Sequence, residues 1–132
     1  MFILLASLAL LTSRSTSAQD RDPDLQQVTS AIVRGDERAL IAMMSERIEL
    51  ALLGASRQYS KSQATLVLRQ FFREHPPRAF RIVDSTRSES GVFLEGVLHT
   101  RNSDQTYRIY LRLNHAGGAW TLRELLVERA ER

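Results

Sequence analysis

The sequence predicts an α+β fold in which three N-terminal helices pack on a curved antiparallel sheet. Two observations predict it. Up to Pro76, most apolar residues recur at three-and-four spacing, which is typical of helices with one buried face. From Ala79 onward they alternate with polar residues, and short turn segments separate the alternating stretches. A long curved sheet folded over helices would form a cone with room for a cavity at its wide end.

The first 18 residues have the order of a secretory signal peptide. An apolar run, Phe2 to Leu11, is followed by a small, polar stretch that ends at Ala18. This interpretation divides the chain into a signal peptide (1–18), a leader (19–23) and one domain (24–132). We therefore expect an exported protein, periplasmic or secreted. A run this short cannot span ~30 Å of hydrocarbon, so no stable membrane insertion is expected after cleavage.

The composition argues against several classes of protein. The chain has 18 Lys and Arg against 15 Asp and Glu, a net charge of +3. Its basic residues are spread among acids and form no basic face, so we expect no nucleic-acid binding. Cysteine is absent, which excludes a disulfide framework. The three histidines have no metal-ligand spacing, and we expect neither a metal nor another cofactor.

Helix signals mark the first two elements. Asp22–Asp24 suits a helix start because it combines a cap, a proline in the first turn and an acid at the positive end of the dipole. Gly35 should end this helix in a left-handed conformation. Asp36 should cap a second, short helix. The residues expected to face inward are Leu25, Val28 and Ile32 in the first helix and Leu40, Met43 and Met44 in the second.

The pattern changes to a strand at Arg47 and returns to a helix at Ser60. Alternation runs to Leu52, a turn follows at 54–56, and Arg57–Tyr59 forms a brief second strand. Ser60 and Gln63 form a capping box that begins the third helix. That helix ends at His75, because a residue before proline is disfavoured in helical geometry. Its apolar face comprises Ala64, Val67, Leu68, Phe71 and Phe72, and we expect Phe71 to be its deepest residue.

Four strands complete the predicted sheet as an antiparallel meander. They are Phe80–Arg87, Val92–Arg101, Thr106–Asn114 and Trp120–Glu128. A turn at 102–105 sets the expected register of the central hairpin. That register pairs Leu98 with Ile109, Leu94 with Leu113, and Glu95 with Arg112.

Several segments of the chain carry a family resemblance. They are Val33–Asp36 with Leu40, Tyr59–Ala64, Phe71–Phe72 with Pro76–Pro77, Thr106–Tyr110, and the Trp120–Glu128 end. The chain resembles the nuclear transport factor 2-like superfamily, which includes SnoaL-type cyclases and ketosteroid isomerase. More narrowly, it is similar to a small exported bacterial family of unknown function within that superfamily. The resemblance implies the cone-shaped fold, but this fold hosts both enzymes and non-catalytic domains and does not decide function.

Enzymes of the superfamily place Asp, His or Tyr side chains inside the cone, and two residues here are candidates. Glu124 follows Trp120 and Leu122 at period two, so it could point inward and act as a general base. Tyr107 could line the same pocket. The competing interpretation is that a bulge puts Glu124 outside, next to Arg108 or Arg112. The first interpretation describes a small hydrolase, isomerase or dehydratase.

Our main expectation is a non-catalytic domain that binds a small apolar ligand or a partner protein. Tyr110, Arg108 and Arg112 lie on the solvent-facing side of the predicted meander, and tyrosine and arginine are typical interface residues. We also expect Val97, Leu125 and Val127 on this face. Since superfamily relatives often dimerise through it, we expect a homodimer or an exported partner there. The alternative is a monomer whose arginines pair with Glu95 and Glu128.

Overall fold

A computed structural model describes residues 25–116 and 118–131 of the chain. The helices α1 to α3 are Leu25–Val33, Glu37–Ala42 and Lys61–Glu74, and the strands β1 to β6 are Met44–Leu52, Arg57–Ser60, Pro77–Arg87, Gly91–Thr100, Thr106–Ala116 and Ala119–Arg129. The predicted order of helices and strands is confirmed. The expected signal peptide, leader and first helix cap lie outside the described residues. No helix within the described ranges is long and apolar enough to cross a membrane.

Local sequence signals place the helix ends where they were predicted. Gly35 has a φ of 59°, and its N–H donates to the carbonyl of Ile32 (3.0 Å) at the end of α1. The Asp36 carboxylate caps α2 by accepting from the N–H of Ala39 at 3.0 Å. Ser60 and Gln63 form the capping box of α3. Each of these interactions joins residues that are close in sequence, so the local sequence pattern alone was sufficient to predict the helix ends.

All six strands belong to one sheet in the order β2-β1-β6-β5-β4-β3. Strands β3 to β6 form the predicted antiparallel meander. The expectation of an entirely antiparallel sheet is wrong, because β1 pairs in parallel with β6. Paired residues such as Leu50 and Leu125 lie far apart in the sequence, so alternation within β1 carried no information about its distant neighbour.

Strand β1 also begins earlier than predicted, at Met44 instead of Arg47. Met44 pairs with Leu122, but the ladder between β1 and β6 is interrupted until Glu49 pairs with Glu124. Alternation of buried and exposed residues is lost across this interruption. Met44 is therefore a buried strand residue and does not belong to the preceding helix.

The register of the central hairpin differs from the prediction by two residues. The observed pairs across β4 and β5 are Leu98 with Tyr107, Leu94 with Leu111, and Glu95 with Tyr110. The loop is longer than expected because Thr100 pairs with Pro77 of β3 and the N–H of Arg101 donates to the carbonyl of Pro76. A shift of two keeps every side chain on its expected face, so the division into inner and outer faces of the meander survives.

The sheet has a bulge and a close contact at the same place. Strand β3 carries an extra residue, Val83, between the pairs that Ile82 and Asp84 form with β4. Gly96 pairs with Ile82, and a Cβ at Gly96 would lie 2.3 Å from the ring of Phe80. Because Gly96 has no side chain, the Phe80 ring can occupy this space on the inner face.

The three helices cover the inner face of the sheet. Helix α1 packs against β3, α3 against β1 and β2, and α2 against both other helices. Buried apolar side chains from every helix and from most strands form one core. In α3, Leu68 is fully buried whereas Phe71 is 6% exposed, so the expectation that Phe71 is the deepest residue is wrong. The larger ring lies nearer the end of the helix, close to the surface.

Candidate functional site

The outer face of the sheet holds the arginines and the tyrosine that the sequence indicated. Arg108 donates to Glu95 at 2.7 Å, and Arg112 donates to Glu124 at 3.1 Å. Tyr110 donates from its hydroxyl to Glu128 at 3.0 Å. Partial burial raises the pKa of Tyr110, and the neighbouring Glu128 carboxylate raises it further. Each cation expected on this face is therefore paired with a carboxylate of an adjacent strand.

A bulge in β6 determines where Glu124 points. Arg112 pairs with Glu124, but the next residue, Leu113, pairs with Leu122, so Arg123 is an extra residue on β6. Glu124 consequently lies on the outer face, half-buried beside Arg112. This is the arrangement that the competing interpretation described. Beyond the bulge the phase is reversed: Leu125 and Val127 are buried, and the expectation that they face outward is wrong.

Tyr107 lies on the opposite face of the sheet from Glu124. It is 4% exposed and belongs to the row of buried β5 residues that alternates with the outer-face row. Since the sheet separates them, Tyr107 and Glu124 do not share a site. The geometry therefore does not assemble the predicted pair of catalytic residues.

Tyr107 instead contacts His75 at the end of α3. The Tyr107 hydroxyl lies 3.2 Å from Nδ1 of His75. The imidazole ring lies between the rings of Phe71 and Tyr107, with centroid separations of 4.8 Å and 5.2 Å. The backbone N–H of His75 donates to the carbonyl of Phe71, which fixes the last turn of the helix. His75 thus connects the end of α3 to the beginning of β5.

A groove of about 380 Å³ opens beside His75, where the end of α3 meets the end of β1. Four lining residues come from α3 at positions i, i+3, i+4 and i+7, which places them on one side of the helix. The others come from the end of β1, the turn after it, β2 and the helix cap. The lining residues are Leu52, Leu53, Ala55, Tyr59, Val67, Gln70, Phe71, Glu74 and His75.

The rim of this groove is held by backbone and side-chain hydrogen bonds. Leu53 has a φ of 64°, a left-handed conformation that costs a non-glycine residue ~1–2 kcal/mol. Its N–H donates to the carbonyl of Val127 at 3.0 Å, which holds it in place. On the other side, Nδ2 of Asn102 donates to the backbone carbonyl of Glu74 at 3.0 Å. Backbone strain of this kind is often found at ligand sites.

The described residues do not bring His, Cys, Asp or Glu side chains together in a group of three or more that could hold a metal ion. His115 instead contacts the ring of Trp120 at a centroid separation of 4.9 Å. The histidine that lies in a groove, His75, is engaged by Tyr107.

Residues 25–128 match the family model described as "Domain of unknown function (DUF4783)". The chain belongs to the DUF4783 family. No curated protein matches it.

Solved structures of DUF4783 proteins have the same fold. One from Bacteroides ovatus is 21% identical, with a TM-score of 0.75, and covers 84% of this chain and 97% of its own. One from Bacteroides uniformis is 16% identical, with a TM-score of 0.75, and covers 83% and 100%. An NTF-2 like protein of unknown function from Silicibacter pomeroyi is 14% identical, with a TM-score of 0.57, and covers 80% and 89%. The resemblance to an unknown-function family of the nuclear transport factor 2-like fold is confirmed.

In this DUF4783 domain, the groove contains residues that sequence reasoning did not select. These residues include Leu53, Gln70 and Glu74. The spacing of Val67, Gln70, Phe71 and Glu74 was a signal that could have grouped the helical residues. Nothing in the sequence indicated that the end of β1 would lie beside them.

Proposed function

We propose that this chain is an exported, non-catalytic domain that binds a small, largely apolar ligand in the groove beside His75. The groove carries the proposal. Its volume of about 380 Å³ lies within the ~300–1,000 Å³ typical of ligand sites. Leu52, Leu53 and Val67 contribute apolar surface to the groove, and polar side chains beside them can orient a bound ligand.

The held rim supports the same proposal. A groove whose walls are fixed before binding loses less conformational entropy when a ligand enters. Here Leu53 is held by β6, and the last turn of α3 is held by Asn102. These restrained walls favour the interpretation of the groove as a binding site over its interpretation as an irregularity of the surface.

Titration with the neutral apolar dye N-phenyl-1-naphthylamine tests this proposal. Saturable fluorescence enhancement is expected for the parent. Val67→Asp, which places a carboxylate in the groove, should weaken binding at least ~10-fold. Leu66→Asp is the matched control, because Leu66 is the next residue of α3 but is 63% exposed and does not line the groove. Equal loss in both variants, or no saturable binding by the parent, would refute the proposal.

A second proposed function concerns the outer face of the sheet. Phe93 is 53% exposed on that face, and Leu126, Val97 and Tyr110 are partly exposed near it. An exposed aromatic ring among paired charges is typical of an interface with an apolar centre and a polar rim. We propose a weak two-fold homodimer through this face.

Sedimentation velocity over a concentration series tests self-association. The parent should shift toward a dimer as concentration rises, and Phe93→Ala or Tyr110→Ala should abolish the shift. Leu66→Ala serves as the control, since it removes an exposed apolar side chain from α3 instead. A strictly monomeric parent at high concentration would refute the homodimer.

The proposal of export rests on the Phe2 to Leu11 run and the small residues that follow it. Mass spectrometry of the chain recovered from the periplasm or the medium should give a mature form beginning near Gln19. A full-length chain confined to the cytoplasm would refute export.

A further inference from the structure

The groove beside His75 differs in charge from the rest of the chain. Although the chain has 18 basic residues, none of them lines the groove. Glu74 is the one carboxylate among the lining residues. Arg73 precedes it in α3 but is not part of the lining. The groove of a chain with net positive charge therefore presents a negative group.

The position of Glu74 strengthens this negative character. Glu74 is the last residue of α3, and the carbonyl end of a helix carries a partial negative charge. Its carboxylate accepts one hydrogen bond, from Nε2 of Gln70 at 3.0 Å. Among the described residues it forms no ion pair with Arg or Lys, in contrast to Glu95 and Glu124 on the outer face. It can therefore receive a cation from outside.

Aromatic side chains complete the surroundings of Glu74. Tyr59, Phe71 and His75 all line the groove; Tyr59 and His75 are half-buried, and Phe71 is nearly buried. The faces of such rings attract organic cations that come within ~6 Å of the ring centroid. Leu53 and Val67 provide the apolar surface that a hydrocarbon body needs.

We propose that the groove selects ligands with an organic ammonium group attached to an apolar body. The ammonium group lies beside Glu74 and Tyr59, and the hydrocarbon lies against Leu53 and Val67. This inference rests on the proposed function, because it specifies the chemistry of the ligand for the same groove. Anionic amphiphiles of equal length are disfavoured there.

Matched detergents used below their micelle concentrations test the headgroup preference. Octyltrimethylammonium and octyl sulfate share the same alkyl chain and carry opposite charges. In displacement of N-phenyl-1-naphthylamine at low ionic strength, the cation should bind the parent about 5–10-fold more tightly than the sulfate. Glu74→Gln should remove most of this preference. Glu89→Gln, an equal charge change at an exposed loop residue, should leave it unchanged.

Tyr59→Leu provides an independent second variant. It should weaken octyltrimethylammonium binding and leave octyl sulfate binding nearly unchanged, because only the cation uses the ring face. If both detergents displace the dye equally from the parent, or if Glu74→Gln keeps the preference, the ammonium proposal fails while the groove remains a binding site. If the parent binds neither dye nor detergent saturably, the proposed function itself fails.

Discussion

Replacing Gly96 with alanine tests how the curved sheet accommodates Phe80. Gly96 lies on the inner face of β4, and a Cβ there would lie 2.3 Å from Cε2 and Cζ of the Phe80 ring and 3.0 Å from the carbonyl of Arg81. Favourable carbon contacts lie at ~3.5–4.0 Å, so the ring would have to move by roughly 1.2–1.7 Å. Phe80 is 7% exposed and packed in the core, which leaves it little free space.

The expected cost follows from this overlap. Adding a methyl group to a well-packed core typically costs ~1–3 kcal/mol. With an unfolding entropy of ~2.1 cal/mol/K per residue over about 110 residues, this lowers the melting temperature by roughly 4–13 °C. Phe80→Leu combined with Gly96→Ala should cost less than the sum of the two single changes, because the smaller side chain gives the new methyl room.

Urea denaturation followed by circular dichroism and by the fluorescence of Trp120, the one tryptophan, measures these differences. Gly54→Ala is the control, since nothing lies within 4 Å of a Cβ placed there and its φ is not in the left-handed region. It should be neutral or slightly stabilising. If Gly96→Ala unfolds at the same urea concentration as the parent, the Phe80 ring does not occupy the space above Gly96.

Three further perturbations have definite expected outcomes. Phe71→Ala should cost ~3–5 kcal/mol in urea denaturation, out of a total stability of ~5–15 kcal/mol, and a parent-like midpoint would contradict its burial. Arg69 donates a hydrogen bond to Glu37 at 3.0 Å and lowers the pKa of this carboxyl below its usual 4.5. The stability that the Arg69–Glu37 pair contributes is therefore present above pH 4.5 and lost as the pH falls through the lowered pKa. Thermal melts at acid pH should show a smaller loss in Glu37→Gln than in the parent. Burial and the Glu128 carboxylate raise the pKa of Tyr110 above 10.0. The stability contributed by the protonated Tyr110 hydroxyl is therefore present below pH 10.0 and lost as the pH rises through the raised pKa. Absorbance titration should show Tyr110 ionising at lower pH in Glu128→Gln than in the parent.

The helices could be predicted from the sequence because their signals are local. The Gly35 turn, the Asp36 cap and the Ser60 capping box each involve residues within a few positions of one another. Their hydrogen bonds form in the same way whatever the remaining chain does. Alternation of apolar residues likewise located the strands of the meander, with errors at their ends of only a few residues.

Pairing between distant segments could not be predicted in the same way. The parallel contact of β1 with β6 joins residues such as Leu50 and Leu125, which no local pattern relates. The hairpin register was wrong because the loop between β4 and β5 depends on Thr100, which pairs with Pro77 of a third strand. In both cases tertiary contacts outside the segment decide the local geometry.

The same distinction explains what the sequence revealed of the candidate sites. Arg108, Tyr110 and Arg112 share a face because they alternate within one strand, and period two was enough to group them. The groove combines residues of α3 with residues of the β1–β2 turn, and only the folded sheet brings these together. His75 was visible in the sequence as a helix end, but its contact with Tyr107 was not.

The bulge at Arg123 places Glu124 on the outer face instead of in the core, and the free energy of folding favours this arrangement. Without an extra residue, Glu124 would stay in phase with buried Leu122 and enter the apolar core. A carboxylate there would cost several kcal/mol unless paired, while Leu125 and Val127 would be turned outward. With the bulge, Glu124 reaches Arg112, and each of the two apolar side chains contributes ~1.5–3 kcal/mol by burial. Because one inserted residue exchanges all these positions at once, alternation beyond Leu122 could not show which face Glu124 occupies. The groove beside His75 is consequently a stronger candidate for ligand chemistry than the Glu124 face.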